Sequence, residues 1–219
     1  IDMGGMQEMT SKTFSENSVR PMAVAGLFYP GAPVELDHML NTFFSQTATM
    51  PPADTPLHRH PPKALIVPHA GYIYSGQAAA DAYQFLQPWA HQYSRVVLWG
   101  PAHRVAVRGI AVPSVGAFET PLGQVRLDQG LLRIASGFPG VVVSDQAHAQ
   151  EHSLEVQLPF LQKTLVGFSL LPLVVGQTTP DHVAALMEAL WGGDETLMVI
   201  SSDLSHYHDY ATAQRRDAH

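Results

Sequence analysis

Three histidines each lie just beyond a short apolar run of the length and β-branching expected for a buried strand. They are His69, after the run at 63–67; His103, after the run at 95–99; and His206, after the run at 196–200. The carboxyl ends of parallel strands meet at one edge of a sheet, where ligands bind in open α/β folds. We therefore expect the three histidines to share one polar site.

Histidine is the commonest metal ligand in proteins and an acid–base group near neutral pH. Two neutral imidazoles and one further ligand are the minimum for Zn²⁺ or non-haem Fe²⁺. Asp203 and His206 lie in the turn after the last run and are candidate catalytic groups that could move protons or complete a metal site. The residues alone do not decide which of these side chains, together with His69 and His103, would bind the metal.

The segment 145–161 contains His148-Ala-Gln-Glu151-His152, which has the H-x-x-E-H spacing of inverted zinc peptidases. Those enzymes need both histidines on one helical face. Because Asp145 precedes the helical pattern, we expect His148 in a loop or first helical turn, where this geometry fails. His148 remains a candidate proton-transfer group, His152 and Glu151 remain candidates for the pocket wall, and a zinc hydrolase remains an alternative.

Composition limits the classes of function. The chain has 219 residues, 46% hydrophobic and 14% charged, with a formal net charge of −7, which is typical of a globular protein and argues against nucleic acid or an anionic membrane as partner. It contains no cysteine, so disulfides, thiolate zinc sites and a cysteine nucleophile are excluded within it. No apolar run reaches the roughly 20 residues of a membrane span. The N-terminus has no signal-peptide pattern, and we expect a cytoplasmic protein.

From residue 63 onward, strand patterns alternate with helical patterns, which predicts a three-layer α/β/α fold with a mostly parallel or mixed central sheet. We expect a flexible leader at 1–18 and one domain at 19–219. The last helical pattern is still running at residue 219, so we expect a C-terminal segment to be missing. The predicted strands are 63–67, 95–99, 107–112, 124–127, 141–143, 168–175 and 196–200, and the predicted helices are 33–44, 76–91, 128–136, 151–165, 180–191 and 209–219.

Six motifs together closely resemble the Memo family (mediator of cell motility), called AmmeMemoRadiSam system protein B in prokaryotes. They are Arg-Pro-Met-Ala-Val-Ala-Gly-Leu-Phe-Tyr-Pro at 20–30, Pro-His-Ala-Gly-Tyr-Ile-Tyr-Ser-Gly at 68–76, Gly-Pro-Ala-His at 100–103, Thr-Pro-Leu-Gly at 120–123, Glu-His-Ser-Leu-Glu-Val-Gln-Leu-Pro-Phe-Leu-Gln at 151–162 and Ser-Ser-Asp-Leu-Ser-His-Tyr at 201–207. The resemblance covers residues 19–219.

The resemblance implies a fold similar to class III extradiol dioxygenases, which open catechol rings with Fe²⁺ and O₂. In that comparison His69 and His103 match the two histidine ligands, and His206 matches the acid–base histidine. The region of His148 and His152 matches another pocket histidine. The dioxygenases add a C-terminal glutamate ligand, and Memo proteins carry a cysteine near the C-terminus. This chain contains neither, so Asp203 or His206 is left as a candidate third ligand.

Three functions follow as alternatives. The first is a metal-dependent, dioxygenase-type oxidoreductase that uses Fe²⁺, with Zn²⁺ or another divalent metal as alternative, on a small organic substrate. The second is a non-catalytic module that binds a metal, a small molecule or a peptide and works with the partners of a radical-SAM system. The third is the zinc hydrolase. Tyr72, beside His69, is a further candidate for the pocket, although at least one of Tyr72 and Tyr74 is expected in the core.

Overall fold

The computed structural model describes residues 14–47 and 60–218. Nine strands and eight α-helices are described in these ranges. The strands are β1 (Ser15–Arg20), β2 (Ala64–Val67), β3 (Arg95–Pro101), β4 (Ile110–Val112), β5 (Val115–Thr120), β6 (Gly123–Arg126), β7 (Val141–Val143), β8 (Ser169–Val175) and β9 (Thr196–Ser201). The helices are α1 (Pro33–Ser45), α2 (Tyr72–Tyr83), α3 (Gln129–Ser136), α4 (Asp145–Ala149), α5 (His152–Glu155), α6 (Leu158–Thr164), α7 (Pro180–Ala189) and α8 (Tyr210–Asp217).

The main sheet has six strands in the order β2-β9-β3-β8-β4-β7. All neighbours are parallel except β4 and β8, which are antiparallel. A second sheet has the order β1-β5-β6. Because β2, β9 and β3 are adjacent and parallel, their carboxyl ends lie side by side, as the sequence predicted.

Helices cover both faces of the main sheet. A Cβ atom built on Gly100 would lie 2.7 Å from Leu154 Cδ2 and 2.7 Å from Ser153 Oγ, so this position of β3 faces α5. Trp99 precedes it and therefore faces the other way, into a cavity that it lines together with Val183 and Met187 of α7. The predicted three-layer α/β/α architecture with a mixed sheet is confirmed. No helix within the described residues is long and apolar enough to cross a membrane.

Several predicted boundaries are wrong. Residues 15–18 of the predicted leader belong to β1, which pairs with β5, and residues 1–13 lie outside the described ranges. The sequence did not predict β1, because its first three residues are exposed and polar. Backbone pairing with β5, and not a buried apolar face, defines this strand. The helix expected at 76–91 begins at Tyr72 and changes to a 3₁₀-helix at residues 84–89. The helix expected at 151–165 is interrupted between α5 and α6, where Pro159 lies in the first turn of α6.

A buried ion pair joins β1 to α5. The Arg20 guanidinium contacts the Glu155 carboxylate, and their side chains are 4% and 0% exposed. Glu155 also accepts hydrogen bonds from the Tyr29 hydroxyl at 2.6 Å and from the backbone N–H groups of Ala23 and Val24 at 2.9 and 3.0 Å. A buried carboxylate with this many donors is stable as an anion only while they remain in place. The segment 20–29 is thereby fixed to α5.

The first prediction concerns this ion pair. Arg20→Met leaves the Glu155 carboxylate buried without its counter-charge, so we expect the free energy of unfolding in a urea titration to fall by about 3–5 kcal/mol. Lys163→Met is the control, because it removes a more exposed pair with Asp37 and should change the stability little. Equal effects of the two substitutions would contradict a structural role for the Arg20–Glu155 pair.

His148 is part of the core. It is 1% exposed, its Nε2 lies 3.1 Å from the Ala111 carbonyl, and its Nδ1 has no hydrogen-bond partner among the described residues. Burial lowers the pKa of His148 to about 4; the hydrogen bond with the Ala111 carbonyl opposes this, and the Arg20 charge adds a smaller lowering. His148 is therefore neutral in the folded protein.

The second prediction is a pH dependence of stability. Because the folded pKa of His148 is about 4 and the unfolded value is about 6.5, the unfolded chain binds the proton more readily, and acid favours unfolding. Between pH 6.5 and 4, we expect His148 to contribute a loss of about 3 kcal/mol in the free energy of unfolding. His148→Gln, which keeps a donor for Ala111, should flatten the profile measured by urea titration. The exposed His91→Gln should leave it unchanged.

Candidate metal centre

His69 is held at the carboxyl end of β2 by Ser201, the last residue of β9, and by Asp203, just after it. Pro68 ends the ladder because it has no N–H to donate, and the backbone N–H of His69 then donates to Asp203 Oδ1 at 2.7 Å. Nδ1 of the His69 ring lies 3.1 Å from Ser201 Oγ. The residue is 3% exposed, so both its backbone and its ring are fixed.

The hydrogen bonds of Ser201 determine the tautomer of His69. The Ser201 hydroxyl donates its one proton to the Ser153 carbonyl at 2.6 Å and accepts from Gln157 Nε2 at 2.9 Å. It can therefore only accept from His69 Nδ1, which must carry the proton. Burial lowers the pKa of His69 against the opposing charge of Asp203. The ring is neutral near pH 7 and Nε2 carries a free lone pair.

His103 follows β3 and is fixed by Glu151. Its backbone N–H donates to Glu151 Oε2 at 2.6 Å, and its Nδ1 lies 2.9 Å from Glu151 Oε1. A carboxylate accepts at this distance, so Nδ1 carries the proton and Nε2 is free to coordinate. Hydrogen bonds of this kind commonly orient histidines that bind metals.

Glu151 is the N-cap of α5. It is 1% exposed, and its Oε1 accepts from the backbone N–H groups of His152 and Ser153 at 3.0 Å each. Burial raises the pKa of Glu151, but the hydrogen bonds from Ser153 and His103 outweigh it and lower the pKa to about 2. The carboxylate therefore stays ionised while it is buried. Glu151 was expected in the pocket wall, and the structure places it at the N-cap of α5 in contact with His103.

His152 completes a cluster of three imidazoles. Its ring centroid lies 4.5 Å from that of His103 and 5.6 Å from that of His69. Each of the three residues offers one ligand atom, and these atoms all lie within 4.8 Å of one another. Burial lowers the pKa of His152 to about 4, despite the opposing charge of Glu151. His152 was expected only in the pocket wall, and the structure makes it a candidate third ligand.

This donor set fits a divalent transition metal. Two nitrogens bound to one metal at about 2.1 Å can be at most about 4.2 Å apart, so a small rotation of the rings suffices. Two further observations support a cation here. The lone pair on His69 Nε2 faces Asp203 Oδ2 at 3.6 Å, which is unfavourable without a positive charge nearby. His152 Nδ1 is buried and makes no hydrogen bond among the described residues, although it lies 3.4 Å from Glu151 Oε1.

Asp203 and His206 lie at the edge of the cluster. Asp203 Oδ2 is 3.3 Å from His206 Nε2, and the His206 side chain is 57% exposed. Asp203 therefore connects the buried His69 with an exposed histidine that can exchange protons with solvent. The structure brings these two predicted catalytic residues beside the metal-binding candidates.

Two residues of the predicted site lie elsewhere. His148 is not in the cluster, because its ring packs in the core against Phe118, with centroids 5.8 Å apart. Tyr72 is 2% exposed and donates its hydroxyl proton to the Val156 carbonyl at 2.7 Å, so it supports the segment after α5 from the core. The expectation that one of the two tyrosines is buried holds, since Tyr74 is 82% exposed.

Sequence reasoning missed Ser201 and Gln157 as supports of the metal-binding candidates. Gln157 Nε2 donates to the Pro68 carbonyl at 2.8 Å and to Ser201 Oγ at 2.9 Å, which joins the ends of β2 and β9. The only signal in the sequence is a buried polar position, Ser201, at the end of an otherwise apolar strand. Nothing in a single sequence pairs it with a glutamine 44 residues away.

Comparisons with known proteins give one consistent result. The profile of the Memo-like protein family matches residues 20–219. A MEMO1 family protein of Aquifex aeolicus is 39% identical over 205 residues, covering 91% of this chain and 72% of that protein. One of Ignicoccus hospitalis is 39% identical (91% and 73% covered) and one of Thermotoga maritima is 36% identical (91% and 75% covered). The chain therefore belongs to the Memo family.

Proposed function

We propose that this protein is a metal-dependent oxidoreductase of the dioxygenase type, with Fe²⁺ held by His69, His103 and His152. The observation that carries the proposal is the convergence of three imidazole ligand atoms within 4.8 Å of one another. Three protein ligands would leave coordination positions on the metal open for a substrate and O₂. The resemblance to the Memo family, which implies a fold similar to class III extradiol dioxygenases, agrees with this choice.

The metal, when bound, would supply redox chemistry with O₂ at the open positions. The residues of the chain have separate tasks. His69 and His103 present Nε2, because Ser201 and Glu151 hold the proton of each ring on Nδ1. The Asp203–His206 pair lies beside His69 Nε2 and reaches solvent through His206. We propose that it accepts the proton of a substrate hydroxyl and passes it to solvent.

The structure argues against the zinc-hydrolase alternative, because only one of its two histidine ligands lies in the cluster. In that mechanism both histidines of H-x-x-E-H bind the metal and the glutamate acts as base. Here His152 lies in the cluster, whereas His148 is buried at the Ala111 carbonyl. The Glu151 carboxylate accepts three backbone N–H groups and the His103 ring, so it has no position from which to activate water.

The third prediction tests the ligand set. After anaerobic loading with Fe²⁺ or, separately, Zn²⁺, we expect close to one metal per chain by elemental analysis. His69→Ala, His103→Ala and His152→Ala should each lose most of it, because two remaining imidazoles bind a divalent metal weakly. His206→Ala is the matched control and should keep the metal, since its ring is exposed at the edge.

Several outcomes would contradict the proposal. If His152→Ala kept the metal and His206→Ala lost it, the third ligand would be His206 and not His152. If the unsubstituted protein bound no metal, the proposed metal centre would be rejected. Stoichiometric Fe²⁺ without O₂ consumption over a panel of catechols would reject the dioxygenase and favour the binding module of a radical-SAM system.

The fourth prediction concerns Glu151. Glu151→Gln replaces an acceptor-only carboxylate with a group that presents N–H donors toward His103, so the orientation of that ring is lost. We expect the affinity for Zn²⁺, measured by competition with a chelating dye, to fall about 10- to 100-fold. Glu188→Gln, an exposed change on α7, should have no effect. An unchanged affinity in folded Glu151→Gln would show that the carboxylate does not support the centre.

A further inference from the structure

A cavity of about 230 Å³ lies between the main sheet and α7. The strands contribute Trp99 of β3, Val175 of β8 and Ile200 of β9 to its wall, and α7 contributes Val183 and Met187. Trp99 is paired with Ile200 in the register of the sheet, so both side chains lie on the face that α7 covers. The wall is therefore built from the ends of three adjacent strands and one face of a helix.

The cavity lies on the face of the sheet opposite to α5, the helix that begins at His152. Gly100 faces α5, so its neighbour Trp99 faces the other way. Ser201 lines the cavity and also supports a metal-binding candidate. Its hydroxyl donates to the Ser153 carbonyl and is therefore turned toward α5 and away from the cavity. A ligand in the cavity would not need the proposed metal.

Trp99 brings an unpaired donor to this wall. The residue is 3% exposed, and its indole Nε1 is buried without a hydrogen-bond partner among the described residues. The indole N–H can only donate, and buried tryptophans usually find an acceptor, because an unpaired buried donor costs stability. Nε1 is itself covered, so an acceptor reaches it only when a wall side chain moves. Met187 is suited to this movement, since it is flexible and only partly buried.

The walls select against charge. Among the described residues, none of the nine that line the cavity carries a charged side chain, so a charged ligand would lose hydration without a counter-charge. Val183, Met187 and Ile200 are only partly buried, and a ligand can therefore enter from solvent. An apolar cavity of about 150 Å³ can hold benzene. The larger volume here has room for a six-membered ring with a small substituent.

We propose that this cavity binds a small uncharged carbonyl compound of about the size of one six-membered ring. Its carbonyl oxygen accepts the hydrogen bond of Trp99 Nε1, and its apolar part lies against Val183 and Ile200. Two effects favour this binding: apolar surface of the ligand and the walls leaves water, and the buried indole N–H gains an acceptor. The ligand class is a small neutral ketone, ester or amide.

The fifth prediction uses the indole N–H signals of the three tryptophans, Trp89, Trp99 and Trp191, in nitrogen-15 NMR spectra of the labelled protein. Trp99→Phe identifies the signal of Trp99. Cyclohexanone should move that proton signal downfield in a saturable manner, because the N–H gains an acceptor, and should leave the signal of Trp191 in place. We expect cyclohexanecarboxylate and cyclohexylammonium, which carry a charge on the same ring, to bind at least tenfold more weakly.

Substitutions on α7 test the location. Val183→Phe fills the cavity, so we expect the affinity for cyclohexanone to fall at least tenfold. Ala184→Phe is the matched control, because Ala184 is exposed on the same helix, and it should leave the affinity unchanged. His152→Ala should also bind cyclohexanone normally, since the cavity is on the other face of the sheet.

The inference is overturned if cyclohexanone leaves the Trp99 signal in place, if the two charged probes bind equally well, or if folded Val183→Phe keeps the affinity. Met187→Phe, which fills the cavity from the next turn of α7, is judged by the same criterion if Val183→Phe does not fold. Weaker binding in His152→Ala would locate the ligand at the metal centre and would also overturn the inference.

Discussion

The carboxylate of Glu151 is the group on which the candidate metal centre depends. One buried anion caps α5 through His152 and Ser153 and holds both the backbone and the ring of His103. It fixes the distance between two metal-binding candidates that come from different elements. A buried carboxylate normally costs stability, and here its donors lower the pKa to about 2. The hydrogen bonds that build the site thus also stabilise the buried charge.

A second buried anion supports the first. Arg20 contacts Glu155 and also donates to the carbonyls of His148 and Glu151 at 2.9 Å each. The guanidinium thus ties the turn between α4 and α5 to β1. The helices of this region are too short to be stable by themselves. Their positions follow from these long-range polar contacts.

Contacts at the ends of strands could be predicted from the sequence, whereas the long-range polar contacts that position the short helices could not. His69, His103 and Asp203 were predicted to lie close together because apolar runs identify parallel strands, and strand ends meet at one edge. His152 was expected in the pocket wall and not among the candidate ligands, and His148 was wrongly placed in the site. Periodicity gave one helix for a region that tertiary contacts divide into short ones. Caps such as Ser144 and the buried partners of Glu151 are visible only once the chain is folded.

The most direct test of the three-histidine centre is an anomalous diffraction map of crystals loaded anaerobically with Fe²⁺ and measured at the iron absorption edge. The account predicts one peak at about 2.1 Å from a ring nitrogen of each of His69, His103 and His152, since this is the usual length of a metal–imidazole bond. A peak beyond bonding distance of His152, or one located away from the cluster, would contradict the account.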